Sequence, residues 1–92
     1  MAAPSILEVE DIHEANDQSW LVTVYDNSVN TWDEVISILM IATHCDFDEA
    51  IIETWEIDNL GRSVVHASDR EECEAVSEVI AQIGIRVEVT KS

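Results

Sequence analysis

The chain contains only two glycines in 92 residues. A phosphate-cradling loop needs several, closely spaced, so that backbone N–H groups can approach the phosphates, and no such loop can be built here. Bases are nearly as scarce. Arg62, Arg70, Arg86 and Lys91 face 20 acids, for a formal net charge of −16. A surface this negative repels phosphate backbones and anionic bilayers, which argues against nucleic-acid and membrane partners. It favours a cationic ligand or a basic partner surface, although solubility alone can also account for it. No apolar run approaches the roughly 20 residues needed to cross a bilayer. No basic segment followed by an apolar stretch marks a secretory leader. On these grounds the expectation is a soluble, cytoplasmic monomer.

Catalytic and metal chemistry are equally thin. His13, His44 and His66 show neither HxxxH nor paired-cysteine spacing, so no zinc site is expected. Asp46-Phe47-Asp48 lacks the glycine and spaced oxygen ligands of a calcium loop. Cys45 and Cys73 lack CxxC spacing. They are expected in two different helices, reduced and partly buried. Carboxylate pairs carry no information in so acidic a chain. Neither an enzyme nor a cofactor is indicated.

What the chain does have is enough apolar material, 47%, for the modest core of one domain. Residues 1–17 carry Glu8, Glu10, Asp11, Glu14 and Asp17 and no base. They read as a flexible acidic extension, which leaves 18–92 as the core domain. Trp20, Val22 and Val24 alternate with Leu21, Thr23 and Tyr25, a strand pattern over 19–25 rich in β-branched residues. Thr31-Trp32-Asp33-Glu34 is a capping box and predicts a helix from about Trp32 to Thr43. Apolar residues surround that helix on nearly every side, so it is expected to be the most buried.

Asp46 opens a second helix ending near Asn59, with Phe47, Ile51, Thr54 and Asp58 on one stripe, Ile52 and Trp55 beside it, and Gly61 as its stop. Arg62 to Ala67 reads as a strand. Ser68-Asp69-Arg70-Glu71 is a further capping pattern for a helix over about 69–83, with Cys73, Val76, Ile80 and Ile83 inward. Gly84 ends that helix, and Ile85, Val87 and Val89 alternate as a last half-buried strand. The order β-α-α-β-α-β, three strands and three helices, predicts a two-layer α+β sandwich.

The turn between the first strand and first helix draws attention as a binding wall. Asp26, Asn27, Ser28, Asn30 and Thr31 bring carboxylate, amide and hydroxyl groups to a helix start, followed by Trp32. Asp58 is an acid on a stripe that is otherwise apolar or neutral. An acid there either lies at an exposed helix end or faces a pocket shared with Asp26 and Asn27. Two carboxylates and an amide carbonyl would suit a protonated amine, which donates three hydrogen bonds.

The run Val22 to Ile36, Val-Thr-Val-Tyr-Asp-Asn-Ser-Val-Asn-Thr-Trp-Asp-Glu-Val-Ile, resembles the start of the ClpS adaptor core. Asp48-Glu49-Ala50, Leu60-Gly61-Arg62-Ser63-Val64-Val65 and Ile83 to Val89 fit later segments of the same family, so the resemblance spans about Trp20 to Val89. It implies an adaptor that binds the free N-terminal residue of a substrate protein, when bulky and apolar, and delivers the substrate to the N-terminal domain of a Clp-type AAA+ unfoldase. The flexible extension would take part in delivery.

Carried over by position, the family's α-amino-binding pair falls on Asp26 and Asn27 in swapped order, with Ser28 where an acid is usual. The family's histidine falls on Asp58, its gating methionine on Trp32 and a second pocket methionine on Thr54. Val35, Ile57 and Ile85 keep apolar pocket positions. Glu71 keeps the acid of the partner-binding helix, while Val76 replaces a lysine. The departures leave a second reading: a ClpS-like acidic interaction or inhibitor module without N-terminal-residue binding.

Overall fold

The computed structural model describes residues 19–92. The acidic extension expected over 1–17 lies outside them. The element order is β1 (Trp20–Tyr25), α1 (Trp32–Thr43), α2 (Phe47–Leu60), β2 (Arg62–Ser68), α3 (Arg70–Ala81) and β3 (Val87–Lys91). This is the α+β architecture in the β-α-α-β-α-β order.

The first strand in sequence becomes the middle of the sheet. The strand order is β2-β1-β3, and both pairings are antiparallel. The sheet and the three helices enclose a core that includes Val22, Val24, Leu39, Ala50, Cys73 and Ile80, all fully buried. Burying an aliphatic side chain of this size contributes about 2 kcal/mol against leaving it in water.

Side chains adjacent in sequence start each helix. Thr31 accepts from the Glu34 N–H at 3.2 Å while Glu34 accepts from the Thr31 N–H at 2.9 Å, a complete capping box. Asp46 caps α2 through the Glu49 N–H at 2.8 Å. For α3 the cap is one residue later than expected: Asp69, not Ser68, accepts from the Glu72 N–H at 2.8 Å. Ser68 is the last residue of β2 and pairs with Trp20. Aspartate and serine cap about equally well, and the pairing of Ser68 in the sheet leaves the cap to Asp69. Gly61 and Gly84 adopt φ of +90° and +83°, left-handed turns that favour glycine.

Three expectations about packing are corrected. The first helix is not buried all round: Val35, Ile38 and Leu39 face inward, while Ile41 is 62% exposed. A two-layer fold has no third layer to cover its outer side. The inward face of α2 is Ala50, Glu53, Thr54 and Ile57, rotated from the stripe of Phe47, Ile51, Thr54 and Asp58. Phe47, Ile52 and Trp55 are exposed. Ala50 and Thr54, being small, let the helix approach the rest of the fold closely. Cys45 lies in the α1–α2 connection rather than in a helix, and both cysteines are free thiols.

The inward turn of α2 buries an acid. Glu53 is 5% exposed, and its Oε1 has no hydrogen-bond partner. Burial, followed by the neighbouring carboxylates of Glu49 and Glu56, pushes its pKa up to about 8. The folded state therefore holds a proton on Glu53 that the unfolded chain releases near pH 4.5. Stability from this group is fully present below that pH and is lost as pH rises through about 8. Glu53→Gln should remove the dependence. In urea denaturation the variant is expected to gain about 1–3 kcal/mol over the parent at pH 9 and little at pH 4.5.

Candidate functional site

The site forms where the middle strand runs out. At the end of β1 the chain stays pinned on both sides: the Tyr25 N–H donates to the Arg86 carbonyl and the Asp26 N–H to the Gly61 carbonyl, both at 3.0 Å. The turn is thus held between the end of α2 and the segment entering β3.

Asn27 then folds the turn on itself. Its Oδ1 accepts from the N–H groups of Val29 and Asn30, at 3.2 and 3.0 Å. Its Nδ2 donates to Asn30 Oδ1 at 2.8 Å. Asn30 in turn donates through Nδ2 to the Ile83 carbonyl at 2.8 Å and to Glu34 Oε1 at 3.3 Å. The two amides form a relay from the loop to the chain just beyond α3. The Thr31 N–H, followed by the Asn30 amide, holds the Glu34 carboxyl below the usual glutamate range.

Behind this loop lies a cavity of about 50 Å³. Val35, Ile57 and Ile85 give it apolar walls, and Thr54 lines it from α2. Asp26, Asn27, Asn30 and Asp58 supply its polar lining, and Trp32 completes it. Val35, Thr54, Ile57 and Ile85 are buried, while Asp26, Trp32 and Asp58 are exposed at the rim. The Thr54 hydroxyl is directed back to the Ala50 carbonyl at 2.7 Å, so that side chain presents its methyl rather than a free donor. Asp58 is thus both at an exposed helix end and at the edge of a shared pocket. The Trp32 indole N–H bridges to its Oδ2 at 3.3 Å.

Of the residues singled out in the sequence, Ser28 and Thr31 do not line this cavity. Ser28 is exposed, and Thr31 is occupied by the helix cap. Asn27 lines it, but both donor and acceptor functions of its amide are engaged in the turn. These bonds shape the loop, and the carboxylates of Asp26 and Asp58 stand beside it in the lining. The Asp26 carboxylate accepts no hydrogen bond from the described residues. Glu71 is exposed on the first turn of α3, outside the cavity. The sequence reading missed the Asn27–Asn30 relay, although Asn at i and i+3 in a turn is a signature of side chains closing on their own backbone. The Trp32–Asp58 bridge, spanning 26 positions, left no local signal. Among the described residues no cluster of three or more ligating side chains could hold a metal ion, and no helix is long and apolar enough to cross a membrane.

Comparison with known proteins gives the same fold. The solved structure of Agrobacterium tumefaciens ClpS2 bound to L-phenylalaninamide superposes with a TM-score of 0.75, covering 79% of this chain and 95% of that one at 13% identity. Among curated proteins, the E3 ubiquitin-protein ligase ubr-1 of Caenorhabditis elegans is 30% identical over 56 residues, 61% of this chain. The matched part is 3% of that much longer protein. The family model for the ATP-dependent Clp protease adaptor protein ClpS matches residues 15–88. With that match running through all three helices and into the last strand, the chain belongs to the ClpS family, whose members are non-catalytic adaptors.

Proposed function

We propose that the chain binds the free N-terminal residue of a substrate protein at the cavity between the Asp26 turn and α2. The observation that carries this reading is the pairing of unlike surfaces in one small space. Asp26 and Asp58 stand at the rim, and Val35, Ile57 and Ile85 lie inside. An α-ammonium group offers three donors and a positive charge to the carboxylates. The first side chain, fixed to the carbon next to that nitrogen, points to the apolar wall. The family assignment supports N-degron recognition, and a relative of the same fold was solved with L-phenylalaninamide, which carries a free amine beside a benzyl group.

Asp58 extends the logic. It adds negative charge where the family pattern has a histidine, so Coulomb attraction rather than neutral hydrogen bonding dominates the grip on the amine. Delivery is the second half of the proposal. The exposed Glu71 face of α3 is the surface offered to the N-terminal domain of a Clp-type AAA+ unfoldase, and residues 1–17 form the extension that assists handover. One observation favours a second route for the bound substrate: the similarity to ubr-1 fits a recognition module working with a ubiquitin ligase.

Two measurements test the proposal. In calorimetric titration, a peptide beginning with free Phe should bind, and its N-acetylated copy should bind at least about tenfold more weakly. Asp58→Asn should cost about tenfold for the free peptide, with the loss shrinking as salt is raised. Equal binding of both peptides, or of neither, would falsify the amine reading. For delivery, Glu71→Lys should weaken retention on an immobilised Clp unfoldase N-terminal domain at least about fivefold while leaving peptide affinity unchanged. No retention of the parent protein would remove the Clp route.

A further inference from the structure

Helix α2 is inverted: small residues and an acid face the core, and large apolar residues face water. Ala50, Glu53, Thr54 and Ile57 pack inward, while Phe47, Ile52 and Trp55 are 55%, 54% and 49% exposed. Single apolar side chains on a surface are ordinary. These are not scattered. Phe47, Ile51 and Trp55 recur every four residues, and Ile52 sits three before Trp55, so the four share one stripe about 12 Å long. An exposed tryptophan among apolar neighbours has the composition of a contact surface rather than of a solvated face.

Charge frames the stripe. Asp48 and Glu56 lie four residues to either side of Ile52, one helical turn away in each direction. Asp48 is exposed and Glu56 half-buried. Helices α1 and α2 carry no base; Arg62 lies on β2, Arg70 on α3, and Arg86 and Lys91 in the β3 segment. The ion pairs among the described residues, His66–Glu72, Arg70–Glu74 and Arg86–Glu88, involve none of the α2 acids. An apolar stripe between such carboxylates favours one kind of cover. An anionic bilayer is repelled, and a second copy of α2 would set acids against acids. A helix face has no open strand edge, so an extended chain finds no main-chain pairing there. What fits is another helix, with apolar residues at i, i+3, i+4 and i+7 along the stripe and Lys or Arg beside them.

We infer that the outer face of α2, centred on Ile52 and Trp55, is a docking surface for a cationic amphipathic helix of a partner protein. Neither residue lines the cavity, so the inference is independent of the amine-binding reading. Nor does either lie on α3, where the Glu71 face is assigned to delivery. The docked helix would bury the Trp55 ring and set its own bases against Asp48 and Glu56.

The test is a calorimetric titration with a peptide of about five helical turns, built of Leu and Lys with Leu at helical spacing. It is added to the parent and to the double variant Ile52→Ser with Trp55→Gln, whose changes are both at exposed positions. The parent should bind, and the double variant at least about tenfold more weakly. A Leu/Lys peptide rearranged so that no face is apolar, and a Leu/Glu peptide with the original spacing, should each bind the parent at least about tenfold more weakly. Asp48→Asn should cost about threefold, a loss that fades as salt is raised. A peptide beginning with free Phe should behave alike with the parent and the double variant. No binding by the parent, or equal binding of either control peptide, overturns the inference. So does unchanged affinity in the double variant, since charge alone would then hold the probe. A parent that sediments as a dimer, dissociated by the double variant, overturns it by making a second copy the occupant. Loss of Phe-peptide affinity in the double variant overturns it by making the stripe part of the pocket wall.

Discussion

The site depends on β1 being the central strand. A strand with neighbours on both sides ends with its backbone constrained from both sides. The hydrogen bonds from Tyr25 to Arg86 and from Asp26 to Gly61 carry that constraint one step past the regular sheet. The turn that follows cannot swing freely, because its first residues are fixed against two other segments. Asn27 and Asn30 then convert a fixed start into a fixed shape. Much of the pocket lining is consequently set by the fold.

Acids do opposite jobs on the two faces of α2. Glu53 faces inward, where desolvation and two neighbouring carboxylates favour its neutral form. Asp58, one turn and a residue further on, lies at the rim, exposed to water and bridged by an indole. The first lowers stability whenever it ionises. The second stands at the cavity edge, where a ligand can reach it. The four bases provide little compensation. Arg70 pairs with Glu74 and lies over Trp20, while Arg86 pairs with Glu88 and lies over Tyr25. The formal net charge stays at −16, which suits recognition of a positively charged chain end.

Much of the fold was legible because local rules do not depend on distant partners. Thr31 with Glu34, Asp46 before α2, and glycines at 61 and 84 mark element ends through bonds within a few residues. Where two good caps were adjacent, as at Ser68 and Asp69, the local pattern could not choose, and pairing of Ser68 with Trp20 in the sheet decided. The burial of α1 was misread because apolar composition says what can be buried, while the number of layers says how much is. The stripe on α2 was misread for a related reason. Close approach favoured Ala50 and Thr54 over larger neighbours, leaving Trp55 and Phe47 outside.

The sequence by itself determined the elements, their order and the chemical character of the site: acids and amides in one turn, an acid at a helix end, few bases to neutralise them. These follow from short-range hydrogen bonding, periodicity and composition, all of which are written along the chain. Only the tertiary structure decided that Asn27 closes the turn on its own backbone, that Asp58 meets Trp32, and that the resulting space is small. Those outcomes depend on which distant groups reach each side chain first, and that is set by how α1 and α2 pack around the end of the middle strand.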